Sequence, residues 1–165
     1  LDGLTGIPNR RLFGATLLKE WHRCQRNQQP LSLIVADVDF FKKYNDALGH
    51  AAGDRVLQEV AATLRQAARR PGDLVARYGG EEFVLLLPKT DATSAQALAE
   101  GLQQLLHSKA LPHPDSSLGP WLTMSMGGNT TVPNTTALDP EFFALADAAL
   151  YRAKHQGRNQ VRWAN

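Results

Sequence analysis

Residues 74–87 read LVARYGGEEFVLLL, two apolar runs separated by a pair of glycines and a pair of glutamates. Each run has the length and apolar character of a β-strand, and Gly79 and Gly80 supply the turn chemistry that joins two antiparallel strands. Adjacent glycines also allow a large ligand to approach the main chain. The stretch therefore predicts a β-hairpin whose tip presents Glu81 and Glu82.

The segments on either side of the hairpin have alternating helix and strand patterns. Residues 31–38 (LSLIVADV) are almost wholly apolar, which predicts a strand buried on both faces. Helices are predicted over residues 9–28, 41–48, 52–69, 92–107 and 141–155, and further strands over residues 121–126 and 160–163. Strands that alternate with helices, plus one hairpin, favour an α/β or α+β fold with one central sheet flanked by helices.

The composition is that of one globular domain, because 165 residues with 43% apolar content are enough to bury a core. No apolar run reaches the roughly 18–20 residues of a membrane helix, so we expect a soluble segment without membrane contact. A formal net charge of +2, with no dense basic block, argues against a nucleic-acid binder. Cys24 has no second cysteine to pair with, and we expect a structural thiol within a helix.

Two acidic side chains stand at the end of the buried strand. Asp37 and Asp39 can project into a cleft at the sheet edge, where carboxylates bind hard cations such as Mg²⁺. If the hairpin lies beside this strand, Glu81 and Asp37 can share metal ions that neutralise a triphosphate during phosphoryl transfer. Acidic residues also end strands and turns as solvated caps. From the residues alone, both interpretations stay open.

Five blocks of the sequence resemble, in order, the motifs of GGDEF domains, the catalytic modules of bacterial diguanylate cyclases. Residues 77–83 (RYGGEEF) are similar to the family signature in its glutamate form. The other blocks are DGLTGIPNRR at 2–11, with Ile7 in place of the usual leucine, DVDFFKKYND at 37–46, GHAAGD at 49–54 and ADAALYRAKHQGRN at 146–159. The resemblance implies a five-stranded, mainly antiparallel sheet of the palm-like type shared with adenylyl cyclases and polymerases. Helices wrap this sheet, and an added β-hairpin carries the GGEEF residues.

The resemblance also implies an activity, the condensation of two GTP molecules into cyclic di-GMP and two pyrophosphates. It implies that Asp37, the backbone carbonyl of Val38 and Glu81 hold two divalent ions, magnesium or manganese, against the GTP phosphates. Asp39 is not implied as a ligand. Glu81 is the favoured candidate to help deprotonate the attacking 3′-hydroxyl, and its neighbour Glu82 is the competing candidate.

Further residues are implied to bind the triphosphate. Phosphate oxygens are bound well by a cation and by backbone amides at a helix N-terminus. The resemblance implies Lys42 as the cation, the amides around Phe40 and Phe41, and the turn glycine Gly80. Lys154 and Arg158 are expected one helical turn apart, so that both face the same triphosphate. Without the resemblance, this last pair reads equally well as solvated charges at a helix C-terminus.

Guanine recognition is implied for Asn45 and Asp54, with His50 lining the substrate pocket. A carboxylate accepts from the guanine N1 and N2 donors, whereas adenine offers no matching pair, and asparagine supplies a donor and an acceptor together. Without the resemblance, Asn45 and Asp54 read as helix caps and His50 as a turn residue.

The resemblance extends to regulation and assembly. Arg70 and Asp73 fit an R-x-x-D site that in many family members binds the product and inhibits the enzyme. Because each domain binds one GTP, a homodimer with half an active site on each chain is implied. Residues 1–165 are expected to form one cytoplasmic domain excised from a longer sensor protein.

Three rival functions remain for comparison. A degenerate domain would bind GTP or cyclic di-GMP as a receptor without turnover, but Gly79, Gly80, Glu81, Asp37 and Lys42 are all intact. A cyclase with relaxed base preference would make adenine-containing dinucleotides, against which Asp54 argues. A two-metal nuclease built on the two aspartates would leave the glycine turn unexplained.

Overall fold

Helices are interspersed with strands along the chain in the computed structural model, which describes residues 1–164. The helices are α1 (Arg10–Asn27), α2 (Phe41–Leu48), α3 (His50–Ala67), α4 (Ala92–Ser108) and α5 (Glu141–His155). The strands are β1 (Leu31–Val38), β2 (Leu74–Gly79), β3 (Glu82–Pro88), β4 (Met124–Thr131) and β5 (Val161–Trp163). Among the described residues, no helix combines the length and apolar character needed to cross a membrane.

Strand β1 lies at the centre of a sheet with the order β2-β3-β1-β4-β5. It pairs antiparallel with β3 and β4, and β2 pairs antiparallel with β3. The pair β4 and β5 is parallel. The five-stranded, mainly antiparallel sheet is therefore confirmed. The predicted hairpin consists of β2 and β3, and because these are two of the five strands it is part of the central sheet rather than an addition to it.

Strand β1 is apolar except at Ser32 and Asp37 because helices cover both of its faces. Ile34 and Ala36 belong to the core that α3 and α4 cover, whereas Leu33 and Val35 belong to the core that α1 and α5 cover. All four side chains are fully buried, as expected when successive residues of a central strand point to opposite faces. The Ser32 hydroxyl is buried and hydrogen-bonded to Thr90 and Thr130, so the partly exposed polar side chain of the strand is that of Asp37, near its end.

The strand predicted over residues 121–126 is wrong in its bounds, since β4 starts at Met124 and continues to Thr131. Trp121 forms only an isolated bridge outside the sheet. The strand passes through Gly127 and Gly128, whose low strand propensity predicts a loop. Packing requires glycine at both places, because a Cβ on Gly127 would overlap the α5 backbone and a Cβ on Gly128 would overlap the Trp163 ring.

Cys24 lies in α1 and is fully buried. Burial raises the pKa of its thiol. A buried, protonated thiol is unreactive, in agreement with the expected structural role.

Candidate active site

The end of β1 meets the beginning of two neighbouring strands. Asp37 pairs across the sheet with Glu82 on β3 and with Ser125 on β4. The Val38 N–H donates to the Glu81 carbonyl oxygen at 3.2 Å. The hairpin thus lies beside the Asp37 strand, the condition under which the sequence predicts shared metal ions. We call this group of carboxylates, Asp37, Glu81 and Glu82, the Asp37 edge.

Burial and mutual repulsion raise pKa values at the Asp37 edge. Burial is the main cause of the raised pKa of Asp37, to which Glu81 and Asp39 add and which Lys154 opposes. Burial also raises the pKa of Glu82, and the negative charge of Asp37 raises it further. The Lys154 ammonium donates to Asp37 Oδ2 at 2.8 Å. An excess of partly buried carboxylates at one edge attracts cations.

The oxygen donors of this edge are of the type that a divalent ion prefers. Among residues 1–164, no three side chains of His, Cys, Asp or Glu stand together as a ready-made metal cluster. The predicted set of Asp37, Glu81 and the Val38 carbonyl is compatible with this finding, because magnesium keeps waters and takes phosphate oxygens as further ligands. The donor chemistry therefore fits a nucleotide-bound cation.

The hairpin tip is held by an arginine to which the sequence analysis assigns no role. Arg77 Nε donates to the Gly80 carbonyl at 2.8 Å, and Arg77 Nη1 lies 3.3 Å from both carboxylate oxygens of Asp2. Burial alone would raise the pKa of Asp2, but hydrogen bonds from Thr5 and the charge of Arg77 outweigh it and lower the pKa. The first motif thus anchors the turn that carries Glu81.

Asp39 has a different environment from Asp37. Its side chain is buried, with 1% of the residue exposed. It accepts hydrogen bonds from Thr123 Oγ1 at 2.7 Å, Ser125 Oγ at 2.6 Å and the Asn159 N–H at 3.0 Å. The carboxylate is occupied by the protein itself, and it ties the end of β1 to β4 and to the segment after α5.

The expected phosphate-binding residues lie directly after Asp39. Phe40 precedes α2 and has a left-handed backbone, with φ 54° and ψ 39°. Phe41 opens α2, whose first N–H groups have no intrahelical acceptor, as at every helix N-terminus. Lys42 is 91% exposed at its side chain and pairs with Asp46 at 3.3 Å. The turn therefore presents amides and a solvent-exposed cation at the end of β1.

The predicted helical spacing of Lys154 and Arg158 is wrong. Helix α5 ends at His155, and the positive φ of 118° at Gly157 turns the chain away from the helix axis. Arg158 has a left-handed backbone, and its guanidinium lies 4.6 Å from the centre of the Phe40 ring. Both cations still reach the end of β1, Lys154 through Asp37 and Arg158 through Phe40.

Comparison with known proteins identifies the family to which this arrangement belongs. The sequence profile of the family described as "Diguanylate cyclase, GGDEF domain" matches residues 1–160. The chain is a GGDEF domain.

Relatives of this GGDEF domain share its sequence and its fold. It is 40% identical over 161 residues to the probable diguanylate cyclase DgcT of Escherichia coli, and this alignment covers 97% of the chain and 34% of DgcT. Identity to diguanylate cyclase DgcM of the same organism is 41%, over 97% of the chain and 37% of DgcM. The chain thus spans about a third of the length of these relatives.

A solved structure extends the comparison to three dimensions. The GGDEF domain of DgcB from Caulobacter crescentus, in complex with c-di-GMP, has a TM-score of 0.89 and 34% identity, with 99% of this chain and 92% of that one covered. An active GGEEF domain of a diguanylate cyclase from Vibrio cholerae has a TM-score of 0.82 and 31% identity, with 96% of this chain and 98% of that one covered. The predicted family and fold class are both confirmed.

The three residues expected to recognise guanine lie on α2 and α3 of the GGDEF domain. Gly49, with φ 91°, joins the two helices, so that α3 begins at His50 rather than at the predicted residue 52. Asn45 Oδ1 is buried and has no hydrogen-bond partner among the described residues. It lies so close to Gly53 that a Cβ there would overlap it. The fold therefore brings Asn45 against the turn of α3 that precedes the exposed Asp54.

The R-x-x-D residues lie at a separate groove of about 940 Å³, whose lining includes none of the Asp37 edge. The Arg70 N–H donates to Asp73 Oδ2 at 3.1 Å, and Arg70 Nη1 donates to Thr90 Oγ1 at 3.2 Å. Burial raises the pKa of Asp73 against the influence of Arg70. The groove is also lined by Arg65 and Arg69, to which the sequence analysis assigns no role. Arg65 lies in the last turn of α3, but Arg69 does not, because the helix predicted to reach residue 69 ends at Ala67.

Proposed function

We propose that this GGDEF domain is a diguanylate cyclase that condenses two GTP molecules into cyclic di-GMP and two pyrophosphates. The observation that carries the proposal is the Asp37 edge, where carboxylates lie beside the N-terminus of α2 and within reach of Lys154. Phosphoryl transfer requires this combination of metal-binding oxygens, amides and cations around one triphosphate. The names of the relatives support the same activity.

The protein's part in the reaction is to bind and orient the substrate. Asp37, Glu81 and the Val38 carbonyl would hold two magnesium or manganese ions, which supply charge neutralisation for the phosphates when bound. Lys42 and the amides of Phe40 and Phe41 would bind phosphate oxygens. Catalysis is then mostly positioning and electrostatic stabilisation.

Two cations from the C-terminal end of α5 and the residues after it would complete the triphosphate site, together with Gly80. Lys154 and Arg158 would bind phosphate oxygens, and Gly80, which lacks a side chain, would let the substrate approach the hairpin. Lys154 now donates to Asp37, so a metal ion bound at Asp37 would free the ammonium for a phosphate. One glutamate of the pair Glu81 and Glu82 would accept the proton of the 3′-hydroxyl, with Glu81 favoured.

Selection of guanine is proposed for Asn45 and Asp54, with His50 beside them. The exposed carboxylate of Asp54 suits the two donors of the guanine edge, which adenine lacks. The contact between Asn45 and Gly53 supports this assignment, because it brings both polar side chains to one junction between helices.

A single chain holds one set of these groups, and therefore one half of an active site. We propose that two copies meet face to face, so that the 3′-hydroxyl of one GTP attacks the α-phosphate of the other. The domain would work in the cytoplasm, where GTP is available, as one catalytic domain of a longer sensor protein. The greater length of its relatives supports the latter point.

Product inhibition is proposed for the groove at Arg70 and Asp73. Arginine binds phosphate or guanine bidentately, and Asp73 Oδ1 is buried with no hydrogen-bond partner among residues 1–164. The related DgcB domain was solved with c-di-GMP, which supports product binding within the family. Added c-di-GMP should inhibit the parent protein, and Arg70→Ala should escape this inhibition at an intact initial rate.

One experiment tests the proposed activity. The protein is incubated with Mg²⁺ and either GTP or ATP, and the nucleotides are separated. We expect cyclic di-GMP and pyrophosphate from GTP and little reaction of ATP. Binding of GTP without any product would favour the receptor function, and adenine-containing dinucleotides would favour the cyclase with relaxed base preference.

A further inference from the structure

We infer that His113, which lies outside every motif of the family, is a positioning residue that sets the direction of the phosphate-binding amide of Phe41. The inference rests on the proposed function, because it assumes that the turn at Phe40 and Phe41 binds the GTP phosphates. The residue sits in the loop between α4 and β4. Only 1% of it is exposed.

Both ring nitrogens of His113 are engaged. The Asp115 N–H donates to His113 Nδ1 at 3.3 Å, so Nδ1 carries no hydrogen. In the neutral ring the hydrogen is then on Nε2, which lies 3.0 Å from the Phe40 carbonyl oxygen and donates to it. The local contact with Asp115 thus selects the tautomer that bonds to a residue 73 positions away in the sequence.

The Phe40 carbonyl is a sensitive point of the turn. It accepts a second hydrogen bond from the Tyr44 N–H at 3.0 Å, the contact that opens α2. Phe40 holds this carbonyl with a left-handed backbone, which is unfavourable for a residue that has a side chain. A conformation of this kind persists only where surrounding contacts hold it. The Nε2 hydrogen bond of His113 is one of those contacts.

Because the peptide bond between Phe40 and Phe41 is planar, the hydrogen bond to the Phe40 carbonyl also orients the Phe41 N–H. The carbonyl of Phe40 and the N–H of Phe41 belong to one trans peptide unit and point in opposite directions. A hydrogen bond from buried His113 to the carbonyl therefore directs the Phe41 N–H away from the interior. Phe40 also carries Arg158 over its ring at 4.6 Å, so a rotation of this peptide would disturb a second phosphate-binding group.

The aromatic packing around His113 supports a fixed ring orientation. The ring of Tyr44 meets His113 edge to face, with centroids 5.3 Å apart and planes at 90°. The His113 N–H donates to the Pro120 carbonyl at 2.8 Å. The loop between α4 and β4 is thereby closed on itself, and its histidine is presented to the turn.

Two conservative variants of His113 distinguish the hydrogen bond made by Nε2 from the one made by Nδ1. Gln places an amide donor near the position of Nε2, whereas Asn places its polar atoms near Nδ1 and loses the reach to Phe40. We expect His113→Asn to raise the KM for GTP by about three- to tenfold, the effect of one lost hydrogen bond, with guanosine affinity unchanged. His113→Gln should recover most of the loss. His107→Gln, at an exposed position of α4, is the control.

Equal behaviour of the Asn and Gln variants, or an equal loss of GTP and guanosine affinity, would overturn the inference. Binding measurements with both ligands make the test independent of turnover. A parent protein that binds GTP no better than guanosine would overturn the phosphate site itself, and this inference with it.

A measurement on the unmodified protein does not depend on whether a variant folds. Nitrogen-15 NMR of the His113 ring should show hydrogen on Nε2 and none on Nδ1, and the Phe41 amide should shift when GTP is added. A ring with its hydrogen on Nδ1 could not donate to Phe40, and that result would contradict the inference.

Discussion

Asp37 and Asp39 are two positions apart, yet the fold surrounds their carboxylates differently. Asp39 accepts three hydrogen bonds from the protein, whereas Asp37 Oδ2 accepts from the ammonium of Lys154. A long lysine side chain is easily redirected. At the scale of the residue, its surroundings make Asp39 an anchor of the fold, and they leave Asp37 as the carboxylate of the proposed metal site.

Glu81→Gln should lower the turnover of GTP by orders of magnitude. The substitution keeps the size of the side chain but removes a charge that would hold the cations and the group that would accept the proton. The rate of cyclic di-GMP formation measures the effect, and thermal unfolding should remain close to that of the parent protein.

Two further variants interpret that result. Glu100→Gln, on the exposed side of α4, should leave the rate unchanged. Glu82→Gln tests the competing base, and a larger loss there than in Glu81→Gln would move the proton transfer to Glu82. Near-normal product formation by Glu81→Gln would remove its assigned role.

Asp73→Asn should raise the melting temperature at pH 7 but not at pH 3. Burial raises the folded-state pKa of Asp73 above its ordinary value, so ionisation is less favourable in the folded than in the unfolded chain. The stability that the protonated group contributes is present below the unfolded pKa and is lost as the pH rises through the folded pKa. The uncharged Asn variant avoids that loss, and its oxygen can still accept from the Arg70 N–H.

Thermal unfolding across this pH range measures the difference between the two proteins. A gain that is the same at pH 3 and pH 7 would show that the charge of Asp73 is not its cause.

At the scale of the element, the packing of α5 and β5 on β4 depends on two glycines. Gly128→Ala should destabilise the domain by about 1–3 kcal/mol, the usual cost of overpacking a filled core, because the new Cβ would overlap the Trp163 ring. Chemical denaturation gives the free energy of unfolding. The loss in free energy of unfolding caused by Gly128→Ala should be smaller in a Trp163→Leu background, where the ring is absent.

Gly101→Ala is the matched control for this change. Gly101 lies in α4, and a Cβ there would meet no atom within 4 Å. Alanine is the better helix former, so this substitution should stabilise by roughly 0.5–1 kcal/mol. Similar effects of the two substitutions would mean that contact with Trp163 does not select glycine in β4.

At the scale of the whole molecule, one chain holds one copy of Asp37, Lys42, Glu81, Lys154 and Arg158. If two GTP molecules must face each other, the specific activity of the chain should rise with protein concentration. A dimeric coiled coil fused before Leu1 should raise it sharply, because it increases the effective concentration of the partner domain. Initial rates over a dilution series measure this dependence.

The same series contains the result that would contradict the two-copy mechanism. A specific activity that stays constant far below any detectable dimerisation would show that one chain suffices, even if cyclic di-GMP is the product. A monomeric coiled-coil variant with the same added length is the control for the fusion.

Local pattern in the sequence was sufficient for the type and order of the elements. The apolar run 31–38 predicted the central strand, and the glycine pair between two apolar runs predicted the hairpin, because burial on both faces and a tight turn each leave a signal within a few residues. The motif blocks likewise indicated which side chains gather at the Asp37 edge. The Asp39 anchor, the glycines of β4, the position of Arg158 beyond α5 and the contact of His113 with Phe40 were decided only by the tertiary structure. The His113 and Asp39 contacts join residues 73 to 120 positions apart. A residue's own neighbourhood in the sequence reports whether it is buried, but the partner of a buried polar group depends on which distant segment the fold brings to it.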